Sequence, residues 1–167
     1  MKVVVKDANI LIDFANGSLF THWFRLGYET WSTDMVLSQV QDEEQWKKVE
    51  PHVHSGALNI HSTTEEFYQE ILAEPSLNRL GPEDTSALLL ARELDGMLLT
   101  GDRQLRKQGE IQGIEVHGVL WVLEKFVQKN ILRSIEAAEK LVKIIEEGAL
   151  LPHDECDKLL KKWNQSR

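Results

Sequence analysis

The chain has little of what staples or breaks a fold. Its 167 residues include one cysteine, Cys156, so an internal disulfide is impossible and a disulfide scaffold is excluded. A lone thiol fits a reducing compartment, and a cytoplasmic location is the expectation. Four prolines and ten glycines are too few for a collagenous or low-complexity chain. No apolar run approaches the ~20 residues of a membrane span. The opening MKVVVKDANIL sets Lys6 and Asp7 directly after three valines, unlike the apolar core of a signal peptide. Positive charge is scarce too: 19 Lys and Arg against 27 Asp and Glu leave a net −8. Such a chain has no general attraction to a polyphosphate, so action on nucleic acid requires a cation or a local basic patch.

What is present is an ordinary globular composition, 42% apolar and 28% charged, in a length that suits about one domain with its own core. Short β-branched or apolar runs over residues 3–5, 28–33, 57–61, 97–100 and 113–117 read as strands. Helical spacing is read over residues 18–26, 35–49 and 119–127. Thr63-x-x-Glu66 reads as a capping box opening a helix with Phe67, Ile71 and Leu72. Gly81-Pro82 opens another, with proline at its first position. Strands alternating with helices predict an α/β fold with a parallel sheet of about five strands. From Asn130 the pattern changes. Ile135, Ala138, Leu141, Val142 and Ile145 recur at helical spacing, and a last helix carries Leu159, Leu160 and Trp163. The expected organisation is a domain over residues 1–129 with a helical extension, 130–167, packed on it.

In an open parallel sheet, ligands bind beyond the carboxyl ends of the strands. Two acids stand there: Asp7 follows VVVK, and Asp102 follows MLLTG. Either alone is equally well explained as a turn former. Asp84 lies in the first turn of the helix that Pro82 opens and heads the stripe Asp84, Ala87, Leu88, Ala91. A favourable interaction with the helix dipole accounts for Glu83 beside it, but less well for an acid heading a buried stripe. On the helix read over 35–49, Val36, Gln39, Val40 and Glu43 share one face, so Glu43 is a fourth candidate unless the helix there emerges into water. Converging carboxylates repel, and one must take a proton unless a cation intervenes. Hard oxygen donors call for Mg²⁺ or Mn²⁺, and no Cys/His pattern suggests zinc. Arg103, Arg106 and Lys107, directly after Asp102, form the one basic cluster near these acids. His52, His54 and His61 read as surface residues, and most of the five tryptophans as core.

Taken together, VVVKDANILIDFANG, TDMVLSQVQDEE, GPEDTSALLLARELDGMLLTGDRQLR and GIEVHGVLWVLEKFV resemble the PIN domain. This is a family of Mg²⁺/Mn²⁺-dependent ribonucleases that includes the VapC-like toxins of toxin–antitoxin pairs. The most specific piece is the helix acid followed by T-x-D after the next strand, Asp84 to Asp102. The resemblance implies a three-layer α/β/α fold, with Asp7, Asp84 and Asp102 as catalytic and metal-binding acids. It implies a supporting role for the Thr100 hydroxyl and for Asn9. Thr100, Arg103 and Arg106 are the expected substrate-binding residues, and the charge argument gives Arg103, Arg106 and Lys107 the flanking RNA backbone. The family's V-L-x-E pattern places glutamate where this chain has Gln39, and Glu43, one turn on, is the expected replacement. The implied activity is RNA phosphodiester hydrolysis by a metal-dependent endoribonuclease, with a homodimer and a separate antitoxin as partners and no membrane. The alternative is a PIN-like protein that no longer cleaves and serves as a binding partner. A dehalogenase-type phosphatase needs D-x-D where this chain has Asp7-Ala8-Asn9, and a receiver domain needs an acidic pair there. Neither pattern occurs.

Overall fold

Three consecutive valines start the first strand, β1 (Val3–Lys6), in the computed structural model, which describes residues 3–165. Val4, Val5 and Lys6 are all fully buried. Neighbouring side chains on a strand point to opposite faces, so β1 is covered on both sides. The sheet order is β3 (Leu58–His61), β2 (Glu29–Thr33), β1, β4 (Met97–Leu99) and β5 (Val116–His117), every pairing parallel. The register pairs Val5 with Trp31 on one side and with Leu98 on the other. β1 is therefore the middle strand, and its carboxyl end opens at the centre of the sheet edge.

Helices make every crossover. α1 (Ala8–Gly17) and α2 (Phe20–Phe24) connect β1 to β2, and α3 (Asp34–Leu37) and α4 (Glu43–His54) lead to β3. α5 (Glu65–Ala73), α6 (Leu77–Leu80) and α7 (Pro82–Glu93) lead to β4, and α8 (Arg103–Ile111) to β5. α9 (Val119–Gln128), α10 (Ser134–Glu146) and α11 (His153–Gln165) follow. α7 packs on β1, β2 and β4 and is ringed by α3, α5, α6 and α8. α1 packs with α4 and α10, and α10 with α9 and α11. Two helical groups enclose one five-stranded parallel sheet, the expected α/β architecture. No helix among the described residues is long and apolar enough to cross a membrane.

Several local expectations are corrected. Residues 8–17, given no helix by their sequence pattern, form α1, which Ser18 ends in the left-handed conformation at φ 51°. The helix read over 18–26 shrinks to α2. The helix read over 35–49 is two helices, because two side chains cap separate starts. Thr33 accepts from the Val36 amide at 3.0 Å, and Asp42 accepts from the Gln45 amide at 2.9 Å. Between them Gln39 and Val40 sit in tight i→i+3 turns. α4 then continues through Pro51 to His54. The cap of α5 is Thr64, bonded to the Phe67 amide, whereas Thr63 bonds to Asp34. On α10 the buried face is Ala137, Ala138, Leu141 and Ile144, and Ile135, Val142 and Ile145 remain exposed.

Candidate active site

The two strand-end acids are placed by the same local device. Asp7 leaves β1 in extended conformation and caps α1, its Oδ1 accepting from the Ile10 amide at 2.9 Å. Asp102 leaves the end of β4 and caps α8, its Oδ1 accepting from the Leu105 amide at 2.8 Å. Because β1 and β4 are parallel neighbours, both caps lie at one sheet edge. Thr100 joins them: its fully buried hydroxyl donates to Asp7 Oδ2 and accepts from the Asp102 amide at 2.9 Å. One hydroxyl thereby uses its donor on one acid and a lone pair on the backbone of the other.

Asp84 reaches the same edge from above. α7 leads into β4, so its first turn lies at the strands' carboxyl end. Ala87, Leu88 and Ala91 of its stripe are fully buried against the sheet, as their spacing predicts. Burial, the nearby Asp102 carboxylate and Glu83 raise the Asp84 pKa to about 6. Burial raises Asp7 to about 7, with repulsion from Asp84 and Asp13, against the opposing pull of its bonds from Thr100 and Ile10. Asp7 thus feels Asp84, and Asp84 feels Asp102. All three offer hard oxygen donors whose mutual repulsion a divalent cation would relieve, so the donor chemistry fits Mg²⁺ or Mn²⁺. Among the described residues, no group of three His, Cys, Asp or Glu side chains is already arranged to hold an ion.

Glu43 is not brought to this edge by a continuous helical face. The break before Asp42 puts it in the first turn of α4, where its side chain is 83% exposed and lies 3.6 Å from Lys47. Gln39 is exposed in the intervening turn. Arg103 and Arg106, in contrast, line the groove that runs from Thr100 and Asp102. Arg106 is held by the Val116 carbonyl at 3.4 Å, and Lys107 is exposed on α8. Asn9 lines the same groove from α1.

Two residues at this site carry no expectation from the sequence pattern. Asp13 is 8% exposed, lines the groove, and has no hydrogen-bond partner among the described residues. Burial raises its pKa to about 7. It shares one face of α1 with Asn9 and Asn16 at i, i+4 and i+7, a polar stripe that appears only once residues 8–17 are recognised as a helix. Lys6, beside Asp7, is fully buried with its ammonium nitrogen 3.5 Å from the Trp23 ring centre and 3.8 Å from that of Phe14. It has no hydrogen-bond acceptor among the described residues, and burial lowers its pKa while Asp7 raises it. The histidines do not form a ligand set: His52 stacks on Phe20 in one place and His61 packs on Phe67 in another.

A family model described as DUF3368, PIN domain, matches residues 3–165. Among solved structures, a PilT N-terminus domain protein, SSO1118, from the archaeon Sulfolobus solfataricus P2 superposes with a TM-score of 0.52. Sequence identity is 13%, over 74% of this chain and 92% of that one, so the likeness carries the fold alone. No curated protein matches the chain.

Proposed function

The chain belongs to the PIN-domain family, and from that premise we propose that it is a metal-dependent endoribonuclease hydrolysing RNA phosphodiester bonds. PIN domains are in general nucleases that use divalent metals. The observation that carries the proposal is the Thr100 hydroxyl tying Asp7 to the Asp102 backbone; repulsion between Asp84 and both of these acids supports it.

In this reading Asp7, Asp84 and Asp102 would hold Mg²⁺ or Mn²⁺ through their carboxylate oxygens. A bound divalent cation supplies Lewis-acid polarisation of the phosphate and ionised water at neutral pH. Thr100 is a positioning residue that fixes the Asp7 carboxylate plane. Arg103 and Arg106 hold the flanking backbone by charge-assisted bonds, the local basic patch that a net −8 chain requires. A toxin role, with a homodimer and an antitoxin as partners, completes the proposal. The exposed apolar strip of Ile135, Val142 and Ile145 on α10 is the surface offered to such contacts.

The position of Glu43 favours a second reading, a PIN-like protein that binds without cleaving, because Glu43, the expected replacement for the glutamate missing at Gln39, lies in solvent. Incubation of labelled single-stranded RNA with Mn²⁺ or Mg²⁺ separates the two. Cleavage that EDTA abolishes supports the nuclease. Intact RNA, with no cation bound in titration calorimetry, leaves the binding protein. Light scattering tests the partner surface: a monomer at all concentrations removes the homodimer.

A further inference from the structure

The groove beside the acids has a second wall that the carboxylates do not use. It encloses about 1320 Å³ and runs from Thr100 and Asp102 past the end of β5 to the turn between α10 and α11. In that wall His117, the last residue of β5, stacks on Trp121 in the first turns of α9, with ring centres 4.3 Å apart and planes 11° from parallel. Both rings line the groove and both are half-buried, unlike Trp23 and Trp163 in the core.

The pair is held in place. His117 Nε2 lies 2.9 Å from Glu115 Oε1, which fixes the imidazole plane. The Thr100 amide donates to the His117 carbonyl at 2.9 Å, so the backbone that carries the His117 ring runs directly beside the residue that bridges the two acids. Between them lies Gly118. A Cβ there would come within 3.3 Å of the Arg106 guanidinium and 3.4 Å of the Thr100 carbonyl, so the bare backbone leaves room for Arg106 to lie across the junction. Acid centre, guanidinium and aromatic platform are thus consecutive along the groove.

We propose that His117 and Trp121 form a stacking subsite for one unpaired RNA base, with Arg106 on the phosphate between that base and the acid centre. This rests on the nuclease reading above. Stacking suits an acidic protein because a base's π-face is neutral and needs no basic field. It also selects single strands, since a base within a duplex presents only its edge. The loss of a base stack weakens binding by about 5- to 150-fold.

The test is fluorescence anisotropy of the full chain with a fluorescein-labelled single-stranded RNA of mixed sequence, in EDTA, and with the same RNA annealed. His117→Ala and Trp121→Leu are expected to weaken single-strand binding about fivefold or more, and Trp121→Phe to retain it. Circular dichroism checks that each variant folds, and His117, at the groove surface, carries the test if Trp121→Leu does not. With Mn²⁺ present, the same losses appear in KM and leave kcat little changed. Equal affinity of wild type and His117→Ala, or equal binding of annealed and single-stranded RNA, overturns the subsite and leaves the nuclease reading standing. Stack-dependent binding by a wild-type chain that cleaves nothing overturns the nuclease reading and leaves the subsite.

Discussion

Asp7 and Asp102 are alike in sequence and local structure and differ in everything decided at longer range. Each follows a strand, caps the next helix and takes an amide three residues on. Yet Asp7 is 1% exposed with its pKa raised to about 7, and Asp102 is partly open to the groove. The cause is strand order. β1 has partners on both sides and helices on both faces, whereas β4 is followed by the two-residue β5, and the sheet ends there. The comparison teaches that a βα junction supplies a carboxylate and a cap, and the depth of the junction decides whether that carboxylate is a burden to the fold.

The sharpest way to break the comparison is to neutralise each acid. Asp7→Asn and Asp102→Asn are each expected to lower RNA cleavage by orders of magnitude, because an amide binds a hard cation far less well than a carboxylate. Their stabilities should diverge. Asn caps a helix about as well as Asp, so Asp102→Asn leaves the melting temperature near wild type at pH 8. Asp7→Asn removes a buried charge and raises it. Equal melting shifts in calorimetry would show that depth does not distinguish the two junctions.

Thr100→Val probes the link between them. The change keeps the shape but leaves Asp7 Oδ2 without a donor and the Asp102 amide without an acceptor, at a cost of about 1–3 kcal/mol in urea unfolding. Loss of an orienting partner is expected to cost roughly 10–100-fold in cleavage or metal affinity. A variant that folds and cleaves like wild type would dissolve the coupling.

The pH dependence of stability comes next. Asp7, Asp13 and Asp84 have folded pKa values of about 7, 7 and 6, above the ~3.9 of an unfolded aspartate. Between about pH 4 and 7 the native state therefore holds protons that the unfolded chain has lost. Stability falls as pH rises through that window, at up to ~1.4 kcal/mol per pH unit for each proton retained. Urea midpoints from pH 5 to 8 read this slope. Mn²⁺ should recover stability at pH 8, and Asp13→Asn should flatten the slope by about one proton. A slope left unchanged by Asp13→Asn would contradict the buried, protonated acid, since the lowered Lys6 pKa opposes the acids in the wild-type slope.

The smallest expected effect is at Glu43. Glu43→Gln removes an exposed ion pair with Lys47 and should change stability by less than ~0.5 kcal/mol and leave cleavage within assay error. A loss of cleavage like that of Asp7→Asn would place Glu43 in the active centre.

Much of the architecture follows from short-range chemistry alone. The β-branched run of β1, the proline opening α7 and the buried stripe Ala87, Leu88, Ala91 each carry their own physical reason, and they sufficed to place Asp7, Asp84 and Asp102 at one edge of a parallel sheet. Where the pattern misled, two local signals competed. Apolar spacing over residues 35–49 argued for one helix, but the Asp42 cap and the Thr33 cap divided it, and Glu43 went to solvent with the break. Residues 8–17 bury Asp13 among apolar neighbours, which hid α1 and with it the Asn9–Asp13–Asn16 face. Other features belong to tertiary structure because no residue contains them. Lys6 lies between two aromatic rings from α1 and α2, and Thr100 reaches Asp7 across ninety-three residues of chain. The His117–Trp121 stack is a local contact, but its place beside that threonine is decided by the pairing of β5 with β4. Spacing along the chain determines caps and faces, whereas burial and convergence depend on which strands become neighbours.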